Sequence, residues 1–309
     1  GQWDDPYKDG YAKMIWEQEN GNRSEIPNNW KPKPKKIIPQ PTREPIFFNI
    51  EEFQKTLKSY DKNIFIQNLR NNVLYPFNDI EIANVIDLYH LGTIPEGYRA
   101  GAITFPFIDV NENIRTIQVK EFDANNHTKK DGTGYYHTLL EFQYKQKGEP
   151  IPGWLEAYNR NETKVSCLFG EHNLKDYPNA KIYLFEAPKT AIYSTFYFGH
   201  PRVSNILCLA VYNKSSFSFD KLKVLQGRFV YVFPDLSKDG NTFKEWETKA
   251  KEYELRMNNT RFVFSNLLEQ VAPEEDRIAG LDIADYLIKL DWRQFRQKEH
   301  SGTSSFAIL

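Results

Sequence analysis

The strongest chemical signal in the sequence is a set of acids placed where short apolar runs stop. Glu186 closes the run Ile182-Tyr183-Leu184-Phe185, and Asp235 follows the run Phe229 to Phe233, with Asp239 close behind. Each run is too short for a helix and rich in strand formers, the pattern of a parallel strand buried on both faces. In open α/β sheets the site forms at the carboxyl ends of such strands. Two of them side by side bring Glu186 and Asp235 together. Carboxylates gathered there, with no basic partner next in sequence, point to a divalent cation. Mg²⁺ is commonly held by one or two carboxylates, waters and phosphate oxygens, and Mn²⁺ can take its place. Asp282 is a further candidate ligand. Lys189, one helical turn beyond Glu186, is placed to touch a phosphate.

The elements that must position these acids are legible in order. Lys181–Glu186 reads as a strand, and Pro188 opens a helix at its first position, where proline is favoured. Ile206–Val211 is a second strand, and Phe219–Leu225 a short helix closed by Gly227. Phe229–Asp235 is a third strand. Thr242–Leu255 is a helix with Phe243, Trp246, Ala250 and Tyr253 as its inner stripe. Arg261–Phe264 is a fourth strand and Leu281–Leu290 a last helix. Repeated β–α units predict a parallel sheet with helices on both faces. No Gly-rich phosphate loop follows Glu186, and no nucleophile elbow surrounds a Ser or Cys. Metal-assisted phosphoryl transfer or phosphodiester cleavage is the chemistry that remains.

Upstream, residues 46–175 read as an α+β region. Asn49, Asp61 and Asn78 each start a helical pattern, and Gly92 is expected to stop the third. Gly101–Asp109 and Ile114–Phe122 form a β-hairpin. Asp123–Gly134 reads as a polar loop, Tyr135–Tyr144 as strand-like, and Trp154–Leu168 as irregular. Arg99, Arg115, Lys120, Lys129 and Lys130 alternate with Phe105, Phe107, Tyr135 and Tyr136. That interleaving fits either a platform for single-stranded nucleic acid, with stacking rings and phosphate-tracking cations, or a hairpin with an aromatic core face. His90 reads as a structural histidine. Residues 1–45 are a tail ending in a Lys- and Pro-rich stretch, read as an extended solvated spacer or a basic tether. Residues 297–309 are a second tail.

Composition sets bounds. The chain has 309 residues, and 40 Lys+Arg against 41 Asp+Glu give a formal charge of −1. That excludes a uniformly basic nucleic-acid binder but not a local basic channel. Cys167 and Cys208 sit in apolar settings and read as buried free thiols of a reducing compartment. No signal peptide or membrane-length apolar segment is seen, so no membrane partner is expected and the cytoplasm is the expected location.

The order of these motifs resembles a known family. Phe185-Glu186-Ala187-Pro188-Lys189-Thr190-Ala191 resembles the glutamate motif of the Toprim (topoisomerase–primase) fold. Pro234-Asp235-Leu236-Ser237 resembles its Asp-x-Asp, and Gly280-Leu281-Asp282-Ile283-Ala284-Asp285 its late acidic stretch. Phe105-Pro106-Phe107-Ile108-Asp109, with Lys120 after it, resembles the hairpin of a bacterial-type primase core. Leu168-Phe169-Gly170-Glu171-His172 resembles the run that precedes the Toprim domain there. The resemblance covers residues 46–296 and is greatest to primase-like proteins of mobile elements and phages.

It implies a Toprim-like parallel sheet at 176–296 behind a primase-like α+β subdomain. It also implies metal-dependent nucleotidyl transfer on single-stranded DNA, with nucleotides as substrates and a replicative helicase as partner. Glu186 would hold the metal or act as base. Asp235, helped by Asp239, would bind Mg²⁺, and Lys120 and Arg115 would steer phosphates. A Toprim nuclease, or a non-catalytic nucleic-acid-binding protein with a degenerate metal site, stays open. Two departures bear on the choice. Ser237 stands where the second Asp of Asp-x-Asp is expected, and no Cys/His cluster precedes the spacer, so no zinc is expected.

Overall fold

In the computed structural model, residues 45–161 and 165–296 are described. The expected tail and spacer through residue 44, and the carboxy-terminal stretch from 297, lie outside the described residues. Residues from Pro45 onward belong to one compact unit.

Three short helices come first: α1 (Ile50–Gln54), α2 (Ile64–Asn71) and α3 (Asp79–Tyr89). Each starts on an asparagine, Asn49, Asn63 or Asn78, whose side chain accepts a backbone N–H from the first turn, satisfying a donor the helix leaves unpaired. Asn63, not Asp61, therefore opens α2. His90 stops α3 in a left-handed conformation at φ 50°, and Gly92 starts a strand instead. A Cβ at Gly92 would stand 2.5 Å from Thr56 and Thr104 hydroxyls, so close packing is what requires glycine there.

An antiparallel sheet follows in the order β1 (Gly92–Thr93), β2 (Ile103–Ile108), β3 (Ile114–Phe122), β4 (Thr128–Tyr135). The expected hairpin is β2–β3. The expected polar loop is in fact β4, because a turn at Asp123–His127 lets the polar chain pair back onto β3. Tyr136–Lys147 and Gly153–Asn159 are helices, α4 and α5, not strand and irregular chain. Leu139, Leu140, Leu155 and Tyr158 then cover Ile117 and Val119 on one sheet face, a tertiary gain that overrides the strand preference of the Tyr-rich segment.

The second sheet is parallel, in the order β6-β5-β7-β8, with β5 Lys181–Phe185, β6 Ile206–Ala210, β7 Phe229–Phe233 and β8 Arg261–Phe264. Alternate residues of β5 enter different cores. Ile182 and Leu184 pack with Trp246 and Ala250 of α9 (Asn241–Glu254). Tyr183 and Phe185 pack with Ile192 and Phe196 of α6 (Pro188–Phe198). Helices thus cover both faces, and the remaining short ones are α7 (Pro201–Ser204) and α8 (Phe219–Leu222).

Beyond β8 come α10 (Leu267–Val271), α11 (Glu274–Ala279), α12 (Ile283–Leu287) and α13 (Trp292–Arg296). The core under α6 also takes in Phe65, Tyr89, Phe105 and Phe107. The two sheets therefore share one hydrophobic interior. Phe105 and Phe107 are fully buried in it and cannot stack bases, so the aromatic-platform expectation fails at those rings.

Candidate active site

Strands β5 and β7 are neighbours, with Phe185 opposite Phe233. Glu186 and Asp235 therefore leave the same edge of the sheet, one and two residues past that pair. Burial drives the Asp235 carboxyl well above the usual carboxylate range, and the charges of Asp282 and Glu186 push it further while Lys189 opposes. Part of the residue meets solvent, yet its Oδ1 atom is buried without a hydrogen-bond partner. Glu186 is also raised, by burial first and by Asp282, against the Lys214 backbone N–H and the charges of Lys214 and Lys120. Lys120, on β3, is lowered by burial and by Lys189, while Asp282, Asp235 and Glu186 pull the other way. Acids from two strand tips and a lysine from the antiparallel sheet thus feel one another's charge.

The other expected ligands stand differently. Asp282 caps α12: its Oδ1 accepts the Ala284 N–H at 2.7 Å and the Asp285 N–H at 3.2 Å. Its Oδ2 accepts the Thr190 hydroxyl at 2.8 Å and lies 3.5 Å from Lys189 Nζ. Asp285 returns the cap by accepting the Asp282 N–H at 2.9 Å, a reciprocal capping box. Asp239 is exposed in the turn before α9. Among the described residues, no three of His, Cys, Asp and Glu are grouped so as to hold a metal. The structure therefore does not gather the expected quartet of Glu186, Asp235, Asp239 and Asp282 into one metal-ligand group. Asp282 uses Oδ1 to cap α12 and Oδ2 to hold that helix against α6, and Asp239 faces water.

Ser237 supplies no carboxylate; its hydroxyl accepts the Thr242 N–H at 3.1 Å in the first turn of α9. Lys189 is 3.3 Å from Asp285 as well as 3.5 Å from Asp282. Burial pulls its ammonium down, but the charges of those acids push it up further, so it stands as an ion-paired residue beside α12. Arg115 pairs with Asp109 at 3.7 Å and lies over the Phe47 ring. Arg99 braces the β3–β4 hairpin, donating to the Asp131 carbonyl at 2.7 Å and standing 3.5 Å from Glu121.

Sequence reasoning missed the β6 contribution. Just past β6, Tyr212 donates its N–H to the Glu186 carbonyl at 3.0 Å from a positive φ of 108°, rare for a bulky residue. Its hydroxyl bonds that of Tyr135 on β4, and the two rings are stacked at 6.3 Å. The available signal was the strand-end rule itself: β6 stops at the same edge, so its loop had to reach the site.

A family model described as a domain of unknown function (DUF6371) matches residues 63–236, more than half of the chain. The chain belongs to this family. The match takes in α2 through Asp235, so it includes Lys120, Glu186 and Asp235. No curated protein matches.

Among solved structures, the chain is similar to the zinc-binding and RNA polymerase domains of the Aquifex aeolicus primase. The identity is 12% and the TM-score 0.38, with 81% of this chain covering 62% of that one. It is also similar to a DNA primase domain from Pseudomonas aeruginosa, at 11% identity and a TM-score of 0.30, with 72% of this chain covering 64% of that one. The chain thus spans under two thirds of the length of both.

Proposed function

We propose that this chain is a primase-like nucleotidyl transferase that joins nucleotides on single-stranded DNA. One observation carries the reading. Glu186 and Asp235 follow adjacent parallel-strand tips, and an oxygen of Asp235 is buried with nothing to bond. A buried carboxylate left without a partner is costly, and its position among other acids favours a cation there. Two carboxylates fit Mg²⁺ or Mn²⁺, which completes its shell with water and phosphate oxygens. Bound there, such an ion would supply charge neutralisation on a transferring phosphoryl group.

This chain's own residues do the rest. Glu186 is held by the Lys214 N–H, and its raised carboxyl is suited to accept the proton of an attacking hydroxyl. Lys120, lowered by burial, feels the charges of Asp235 and Glu186 and would meet a nucleotide phosphate. The order of sequence motifs supports polymerising chemistry over cleavage. The setting in a mobile element or phage, and a helicase partner, rest on that resemblance alone.

A second reading, a nucleic-acid-binding protein without catalysis, is favoured by Ser237 in place of a carboxylate and by the two-ligand site. Incubating the protein with a single-stranded DNA template, ribonucleotides and Mg²⁺ or Mn²⁺ separates the readings. Template-dependent products that vanish in Glu186→Gln support the transferase. Template binding with no products supports the adaptor, and DNA cleavage lost in Glu186→Gln supports a nuclease.

A further inference from the structure

The loop that follows β6 grips Glu186 by its main chain and by its side chain. Val211 and Tyr212 continue the pairing past the end of the strand, donating to the Phe185 and Glu186 carbonyls at 3.0 Å each. The Lys214 N–H bonds the Glu186 carboxyl. We propose that Tyr135 and Tyr212 are positioning residues for Glu186, clamping this loop from the antiparallel sheet, an inference that rests on the function proposed above.

The loop holds a shape that local chemistry does not favour. Tyr212 sits at φ 108°, a conformation that is costly for a bulky residue and persists only where the surroundings over-determine it. Its neighbours do so. The Tyr212 hydroxyl bonds that of Tyr135 on β4, and the two rings stack. The Phe107 ring meets it edge-on at 5.6 Å. Lys221 of α8 donates to the Val211 carbonyl at 2.9 Å, with its ammonium 5.7 Å from the Tyr212 ring centroid. Further along, Trp246 of α9 donates its indole N–H to the Lys214 carbonyl at 3.0 Å. Asn213 Oδ1 accepts the hydroxyls of Ser215 at 2.9 Å and Ser216 at 2.8 Å, which closes the loop on itself.

The hydroxyl pair is the polar link across the two sheets. Tyr135 stands opposite Gln118 of β3, and Thr133 opposite Lys120. The strand pair that carries Lys120 therefore also holds the loop on Glu186. The clamp sets where Lys120 stands relative to Glu186, and groups acting on one reaction must be held to a fraction of an ångström. Ring packing alone would be met by phenylalanine at both positions, so the hydroxyls isolate the positioning role.

The test uses Tyr135→Phe and Tyr212→Phe, which delete the same bond from opposite sides and keep the rings; a melting curve identifies either one that fails to fold, and the other then serves. Tyr60→Phe, which removes a hydroxyl bond to the Leu91 carbonyl at 3.0 Å elsewhere in the fold, controls for a simple loss of stability. Amide hydrogen exchange followed by NMR should quicken at Tyr212 and Lys214 by about threefold to tenfold in the clamp variants and not in Tyr60→Phe. With single-stranded DNA template, ribonucleotides and Mn²⁺, kcat should fall about tenfold to a hundredfold in the clamp variants while KM for the nucleotide stays that of wild type. Unchanged exchange at Tyr212 and Lys214, or a kcat equal to that of Tyr60→Phe, overturns the clamp and leaves the transferase reading standing. If wild type forms no product, the transferase reading falls and exchange alone decides: quickened exchange upholds the clamp, and unchanged exchange overturns it.

Discussion

Glu171 gives the most quantitative expectation. It is 5% exposed, and its two oxygens accept the Val110 N–H at 3.2 Å and the Leu168 N–H at 2.8 Å. It thereby ties the β2–β3 turn to the segment leading into the parallel sheet. Burial pushes its carboxyl from the ordinary 4.5 up to about 7, against the two backbone N–H groups, with Asp109 raising and Arg115 lowering it. A folded-state value above the unfolded one means the fold binds the proton more tightly. The stability so gained is fully present below about pH 4.5 and is lost as the pH rises through about 7.

At about 1.4 kcal/mol per pH unit, that difference is worth about 3 kcal/mol, or about 6–12 °C in melting temperature for a unit of this size. Lys221 faces the same interior, but burial lowers it from 10.5 to about 8. Its contribution is present above about 10.5 and lost as the pH falls through about 8, largely outside the window. Glu171→Gln removes the titration while keeping the shape. Scanning calorimetry of both proteins at pH 5 and pH 8 should show wild type losing that 6–12 °C relative to the variant. An equal difference at the two pH values would refute the reasoning, because it would mean an ordinary carboxyl.

Further expectations follow from single contacts. Asp282→Ala removes the side-chain half of the capping box, the Thr190 bond and a Lys189 partner; urea unfolding should show a loss of about 3 kcal/mol, with Asp282→Asn losing less. Gly170 sits at φ 80°, and a Cβ there would lie 3.0 Å from Leu209 and from Tyr89; Gly170→Ala should cost about 1–3 kcal/mol by the same measurement. Ser237→Asp keeps an acceptor for the Thr242 N–H and adds a carboxylate near Asp235. Added Mn²⁺ should raise its melting temperature more than that of wild type, and an equal rise would place residue 237 outside the ion's reach.

Much of the parallel sheet was legible because buried strands announce themselves by unbroken apolar runs. Ile182–Phe185, Ile206–Val211 and Phe229–Phe233 each did so, and β5 and β7 pair as neighbours, so Glu186 and Asp235 follow adjacent strands. Two helix starts, at Asn49 and Asn78, were legible too, since asparagine caps act within three residues. What local pattern could not show was β4, whose Thr128–Tyr135 residues are mostly polar and exposed. It is a strand because β3 offers an open edge. Nor could local pattern show that Phe105 and Phe107 face a core shared with α6, because the covering helices lie far away in sequence.

Asp282 and Asp285 show the same limit at the site. An Asp-x-x-Asp spacing before an apolar stretch fits a metal motif and a helix cap equally well, since both need carboxyl oxygens at a helix start. The decision is made by α6, 92 residues away in sequence, where Thr190 takes one oxygen of Asp282 and the Lys189 ammonium faces both acids. With that ammonium between them, Asp282 and Asp285 are held in place as an internal ion pair, and their remaining negative charge still acts on Asp235. The capping acids thus raise the cost of leaving Asp235 without a counterion while offering no free oxygen of their own from Asp282. A cation entering the site relieves that repulsion only at Glu186 and Asp235, and that is why the pair, and not the quartet, carries the proposed chemistry.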